Sequence, residues 1–217
     1  MTSTNDILVN VDDLRIAFRN SGELNEVVHG VSFQVKSNEI LGIVGESGSG
    51  KSVTALALMG LLPKKNCVIT GKLTYRDLDL LKISNKQWQE IRSNKIAMVF
   101  QEPMSALNPS IHCGKQVIEV LLQHSNLTVA EAKKEVLQLF EQVRLPDQEK
   151  IYTSYPHEIS GGQMQRVVIA MAIACKPDVL IADEPTTALD VTVQKEILQL
   201  LKNIQQETKM GRVNFFK

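Results

Sequence analysis

Apolar and polar positions change period several times along this chain, and the changes predict strands alternating with helices. Ile7 to Phe18 is a mixed apolar and polar run that reads as a strand. Val31-Ser-Phe33-Gln-Val35 alternates with period two, the pattern of a strand with one wet face. Between them, Arg19 to Asn25 has the composition of a hairpin loop. Ile40-Leu-Gly-Ile-Val44 is continuously apolar and predicts a buried strand, and Ser52 to Met59 then reads as a helix. Gly71 to Tyr75 is a further short strand candidate, and Ile96 to Phe100 predicts a second buried strand of a central sheet.

The middle of the chain is helical in pattern from Cys113 to about Arg144, with Val117, Ile118, Leu121 and Leu122 on one face. Thr128-Val-Ala-Glu131 has the form of a capping box and opens a helix through Val143. Pro146 and Pro156 mark the exit. A helix over Gly162–Cys175, a strand over Val179–Ala182 and a helix from Thr192 to about Glu207 complete the series. Helices alternating with apolar strands predict an α/β fold, a mostly parallel sheet carrying a helical insertion. No internal repeat or low-complexity linker interrupts it.

Composition narrows the functional classes. At 217 residues the chain suits a single domain of one or two subdomains. Lys plus Arg and Asp plus Glu balance at 24 each, so no net field favours a nucleic-acid partner. Cys67, Cys113 and Cys175 lack pairing or metal spacing and read as free thiols. The opening MTSTNDILVN has no basic residue and no apolar core, unlike a secretory signal. The longest apolar stretch, Ala55 to Leu62, falls far short of the roughly 20 residues that span a bilayer. Any service to a membrane is therefore expected to run through partners.

Chemistry concentrates in three places. GESGSGKS, Gly45 to Ser52, is the G-x-x-x-x-G-K-S loop of P-loop nucleotide hydrolases. Glycines let the backbone curl so that its N–H groups face phosphates, Lys51 reaches the terminal phosphates, and the Ser52 hydroxyl can ligate Mg²⁺. At ordinary residue frequencies a chance match arises on the order of 10⁻⁴ to 10⁻⁵ per start position. Asp183 and Glu184 end an apolar strand, where open α/β sheets face a ligand crevice. The first carboxylate can hold Mg²⁺ and the second can deprotonate water; the bland alternative is an acid pair at the next turn. Ser160-Gly-Gly-Gln163 has the shape of a capping box, yet two glycines inside a helix start cost about 1 kcal/mol each. That cost suggests that something approaches the backbone closely, and a bare helix N-terminus is an anion site.

The ordered set GESGSGKS, Gln101 in VFQEPMSALNP, ISGGQ, VLIADEP and Ala188-Leu-Asp190 resembles the ATP-binding cassette (ABC) ATPases, over about Ile7 to Met210. EPMSALNP and IADEPTTALDVTVQ look most like the oligopeptide, dipeptide and nickel importer branch. The resemblance implies a P-loop cassette over 7–217 with an N-terminal antiparallel β subdomain and a helical subdomain at about 103–175. It implies that Gly45, Glu46, Ser47, Gly48, Ser49, Gly50, Lys51, Ser52 and Val53 bind ATP, with Mg²⁺ held by Ser52, Gln101 and Asp183. Glu184 would be the general base, and Gln101 would report to the membrane subunits. Ser160, Gly161, Gly162 and Gln163 would contact the γ-phosphate on a second cassette, and Asp190 would lie at that interface. Phe18 falls where the family stacks an aromatic on adenine; it reads equally as a strand core residue.

The implied partners are transmembrane permease subunits, a second cassette and, indirectly, a solute-binding protein, with no nucleic acid. The implied place is the cytoplasmic face of the membrane. The family pattern continues into a strand ending in a histidine that grips the γ-phosphate. Here Arg212 and Asn214 interrupt that strand, no histidine follows His157, and Lys217 falls near the histidine's place. The expectation is a truncated, frame-shifted or fragmentary cassette that binds ATP more surely than it hydrolyses it. His29, His112, His124 and His157 show no metal spacing and read as surface or loop residues.

Overall fold

The computed structural model describes residues 7–20, 22–187 and 189–216. The opening residues, Ala188 and Lys217, on which readings were made above, lie outside them. Two sheets organise the chain. One is antiparallel, in the order β2-β1-β4-β5, built from β1 (Ile7–Asn20), β2 (Glu23–Lys36), β4 (Cys67–Tyr75) and β5 (Leu78–Asp79). The other is parallel, in the order β3-β8-β7-β6, built from β3 (Ile40–Val44), β6 (Ile96–Val99), β7 (Val179–Asp183) and β8 (Gly211–Phe216). Helix α1 (Lys51–Leu58) follows β3, and α2 (Asn85–Ile91) precedes β6. Between β6 and β7 stand α3 (Pro103–Ala106), α4 (Cys113–His124), α5 (Val129–Gln142), α6 (Gln148–Thr153) and α7 (Gly161–Ile173); α8 (Val191–Thr208) links β7 to β8.

The parallel strands divide two cores. Ile96, Met98, Val179, Ile181, Val213 and Phe215 join α1, α2 and the antiparallel sheet, while Ala97, Val99 and Leu180 join the helices α4 to α8. Burial on both faces is why β6 and β7 are apolar without alternation. Of the insertion's apolar residues, Val117, Leu121 and Leu107 are buried and Leu122 is partly buried, all in the helical core. Both halves of the Thr128/Glu131 capping box form, with the Glu131 carboxylate 2.8 Å from the Thr128 amide that donates to it.

Several elements depart from the sequence reading. Among the described residues β3 lies at the edge of its sheet and is not buried: Val44 is 74% exposed and Ile40 40%. A continuous apolar run did not distinguish a central strand from an edge. The hairpin turn is far tighter than an Arg19–Asn25 loop, because Arg19 pairs with Leu24 and Asn20 with Glu23. β4 begins at Cys67 and passes Gly71, whose φ of 94° and contact with the Asp13 carbonyl leave no room for a side chain. The β1 register with β4 shifts between Asp12 and Arg15, a bulge that this glycine faces. α2, capped by Ser84, was not read; it buries Trp88 against Gly60.

The largest correction concerns β8. Arg212 and Asn214 do not interrupt it: all six residues pair, five with β3 and five with β7. Central hydrogen bonding overrides the polar side chains, at a cost. Arg212 Nε and Nη1 and Asn214 Oδ1 are buried without partners, and burial pushes the Arg212 guanidinium down to about 10.

Candidate nucleotide site

The site forms where β3, β7 and β8 end. The Gly45 N–H donates to the Phe216 carbonyl at 3.3 Å, and the Glu184 N–H donates to the Phe215 carbonyl at 3.1 Å. Two adjacent carbonyls of β8 thus fasten the glycine loop and the acid pair side by side. Nothing in the polar sequence of β8 announced that task, since backbone groups do the work.

Within the loop, Gly48 and Gly50 hold φ of 83° and 87°, the left-handed region that glycine enters without strain. At Gly50 space is short as well: a Cβ would lie 2.8 Å from the Val27 carbonyl oxygen. Gly50 is also the N-cap of α1, and no side chain caps that helix. The first amides of α1 are therefore left for another acceptor. Lys51 Nζ, almost fully buried, donates to the Gly45 and Glu46 carbonyls at 2.7 and 2.8 Å and sits 3.8 Å from Glu184 Oε1. The ammonium is already aimed into its own loop.

Around the loop lies a cavity of about 300 Å³, lined by Ser47, Gly48, Gly50, Lys51, Ser52 and Val53 together with Gln101, Glu184, Thr187 and Val27. Gln101 Nε2 donates to Glu184 Oε2 at 3.2 Å, and the Thr187 hydroxyl lies 3.1 Å from the same oxygen. Glu184 takes a left-handed φ of 44°, which for a non-glycine residue stores strain at the site. Asp183 is buried and its Oδ1 has no hydrogen-bond partner. Burial raises its carboxyl above the ordinary aspartate range, while the Ser52 hydroxyl and, more weakly, the Lys51 ammonium pull it back. A hydroxyl beside a buried, under-partnered carboxylate is an oxygen donor set that suits Mg²⁺.

The remaining sequence candidates lie elsewhere. Ser160 caps α7 through a complete box: its Oγ accepts from the Gln163 N–H at 3.3 Å and its N–H donates to Gln163 Oε1 at 2.9 Å. A Cβ on Gly162 would lie 3.0 Å from Val193, a close approach within this chain, whereas exposed Gly161 has only ordinary contact, 3.7 Å from Leu189. Asp190 caps α8, accepting from the Thr192 and Val193 amides at 3.1 and 3.0 Å. Residues 160–163 and 189–193 thus lie together, and none of them lines the cavity. Phe18 is partly buried against the core beneath the antiparallel sheet and does not line the cavity either; Val27, which sequence reasoning passed over, does. Thr187 was also passed over, its only signal being a hydroxyl three residues after the second acid.

A glycine loop feeding an uncapped helix, with a lysine inside it and an acid pair on the adjacent strand, defines a P-loop nucleotide-binding fold. The sequence profile of the ABC transporter family matches residues 28–187, and the chain belongs to that family, as an ATP-binding domain. Among curated relatives it is 47% identical over 205 residues to the dipeptide transport ATP-binding protein DppD of Bacillus subtilis, covering 94% of this chain and 61% of that protein. It is also 47% identical over 202 residues to the oligopeptide transport ATP-binding protein OppD of Escherichia coli, covering 93% of this chain and 60% of that protein. The chain thus spans about three fifths of the length of these relatives. Among solved structures, a dimeric ATP-binding cassette in a post-hydrolysis state with ADP and Pi superposes with a TM-score of 0.82 at 27% identity, covering 96% of this chain and 87% of that one. Among the described residues no helix is long and apolar enough to cross a membrane.

Proposed function

We propose that this chain is the ATP-hydrolysing subunit of an importer for peptides or a similar small solute, nickel included. The observation that carries the reading is the convergence of Lys51, Ser52, Gln101 and Glu184 on one cavity beside the buried Asp183. The α1 amides and Lys51 would bind the triphosphate tail, and the seat extends from Gly45 through Val53. Ser52, Asp183 and Gln101 would hold Mg²⁺, which when bound offsets phosphate charge. Glu184 Oε1 would take a proton from the attacking water, while Gln101 and Lys51 fix the carboxylate's orientation.

A second cassette completes the reading. The Ser160–Gln163 start of α7 would meet the γ-phosphate of the partner's nucleotide, with Asp190 at the joint. Closure would move the helical segment at about 103–175 and the permease subunits attached to it. A solute-binding protein would deliver cargo on the far side, and the chain would sit peripherally on the cytoplasmic face of the membrane. Support comes from the named transport functions of its relatives and the dimeric form of its structural neighbour.

The test is Glu184→Gln. ATP binding should persist while turnover falls about 100-fold or more, since a positioned general base commonly contributes 10²–10⁴. Turnover equal to wild type would remove Glu184 from the chemistry and leave a cassette that binds nucleotide without useful hydrolysis.

A further inference from the structure

The Thr187 hydroxyl lies 3.1 Å from Glu184 Oε2 and 3.2 Å from the Glu184 carbonyl oxygen, and the Thr187 N–H donates to that carbonyl at 3.3 Å. Gln101 Nε2 approaches the same Oε2 at 3.2 Å from just past the end of the neighbouring parallel strand β6. Two donors therefore converge on one carboxylate oxygen, and Oε1 is left facing Lys51 at 3.8 Å. A carboxylate on a left-handed backbone has no helix or strand to fix its rotamer, so these side chains decide where it points.

We propose that Thr187 is a positioning residue for the reaction: its hydroxyl holds Oε2 so that Oε1 is the oxygen presented to water. This rests on the reading of Glu184 as the base. The backbone turn survives without the hydroxyl, because the Thr187 N–H makes its own bond to the Glu184 carbonyl. Thr187 itself is exposed, so a substitution there leaves no buried void. Valine keeps the shape of threonine and removes only the donor.

ATPase kinetics of the full chain with Thr187→Val and Thr187→Ser decide the matter. Thr187→Val should lower kcat about tenfold, the worth of one hydrogen bond to a charged group, with KM for ATP and thermal midpoint unchanged. Thr187→Ser should restore kcat to the wild-type value. Wild-type kcat in the valine variant, or a fall in kcat accompanied by a raised KM and a lowered midpoint, would overturn the proposal. If Glu184→Gln turns over like wild type, the reading of the base fails instead. A crystal structure of Thr187→Val then tests positioning alone: a carboxylate swung away from Gln101 supports it, and one still bonded to Gln101 contradicts it.

Discussion

Two helices of this molecule start on glycine-bearing loops, and they manage their free amides in opposite ways. α1 begins after Gly50 with no side-chain cap, a lysine folded into the preceding loop and an under-partnered aspartate alongside. α7 begins after Ser160 with both bonds of a capping box made and Val193 packed closely on Gly162, while Gly161 stays exposed. At the first start no side chain caps the amides, whereas at the second Ser160 caps the Gln163 amide and Gln163 accepts from the Ser160 amide. On the proposed function a ligand would bind the first directly. It can use the second only by adding to contacts already made, which suits a site completed by a partner.

Substitutions at the two starts should separate these roles. Gly50→Ala meets both a left-handed φ and the Val27 carbonyl, so it should cost about 2–3 kcal/mol of stability and lower ATP affinity more than tenfold. Chemical denaturation alongside nucleotide titration reads both effects. Acidity should act on the same start next. The raised Asp183 carboxyl binds its proton more tightly folded than unfolded, so its contribution to the ligand-free fold is present at low pH and is lost as pH rises through the raised value. On the proposed function Mg²⁺ would need the carboxylate. Magnesium-dependent ATP affinity should therefore strengthen over the same rise, by up to about tenfold per pH unit below that value. A midpoint at the ordinary aspartate pKa would show that burial does not govern this group. At the other start, Ser160→Ala should cost about 1 kcal/mol through loss of the cap and leave ATP affinity of the isolated chain unchanged. Weaker binding in that variant would blur the distinction between the two helices.

Much of the candidate site could be read in the sequence because its parts are local. The phosphate loop, the acid pair and the Thr128 and Ser160 capping boxes are each written within a few consecutive residues. The pieces that escaped depend on distant partners. The Phe215 and Phe216 carbonyls act through backbone, so no side-chain pattern marks them. Arg212 and Asn214 looked like strand breakers because polar residues are rare in doubly buried strands, yet ladder bonds on both sides hold them in place. β3 matched a buried strand in composition, and only the strand order shows it at the edge. Val27 reaches the cavity because the antiparallel sheet brings β2 against Gly50, a contact between segments far apart in the chain.

Calorimetric titration of Mg·ATP into the wild-type chain and into Lys51→Ala bears most directly on the site. Wild type should bind, and the alanine variant should lose about 10- to 100-fold in affinity while its circular dichroism and thermal midpoint show an intact fold. A folded wild-type chain that takes up no ATP, or an alanine variant that binds as tightly, would contradict the assignment of this cavity to a triphosphate.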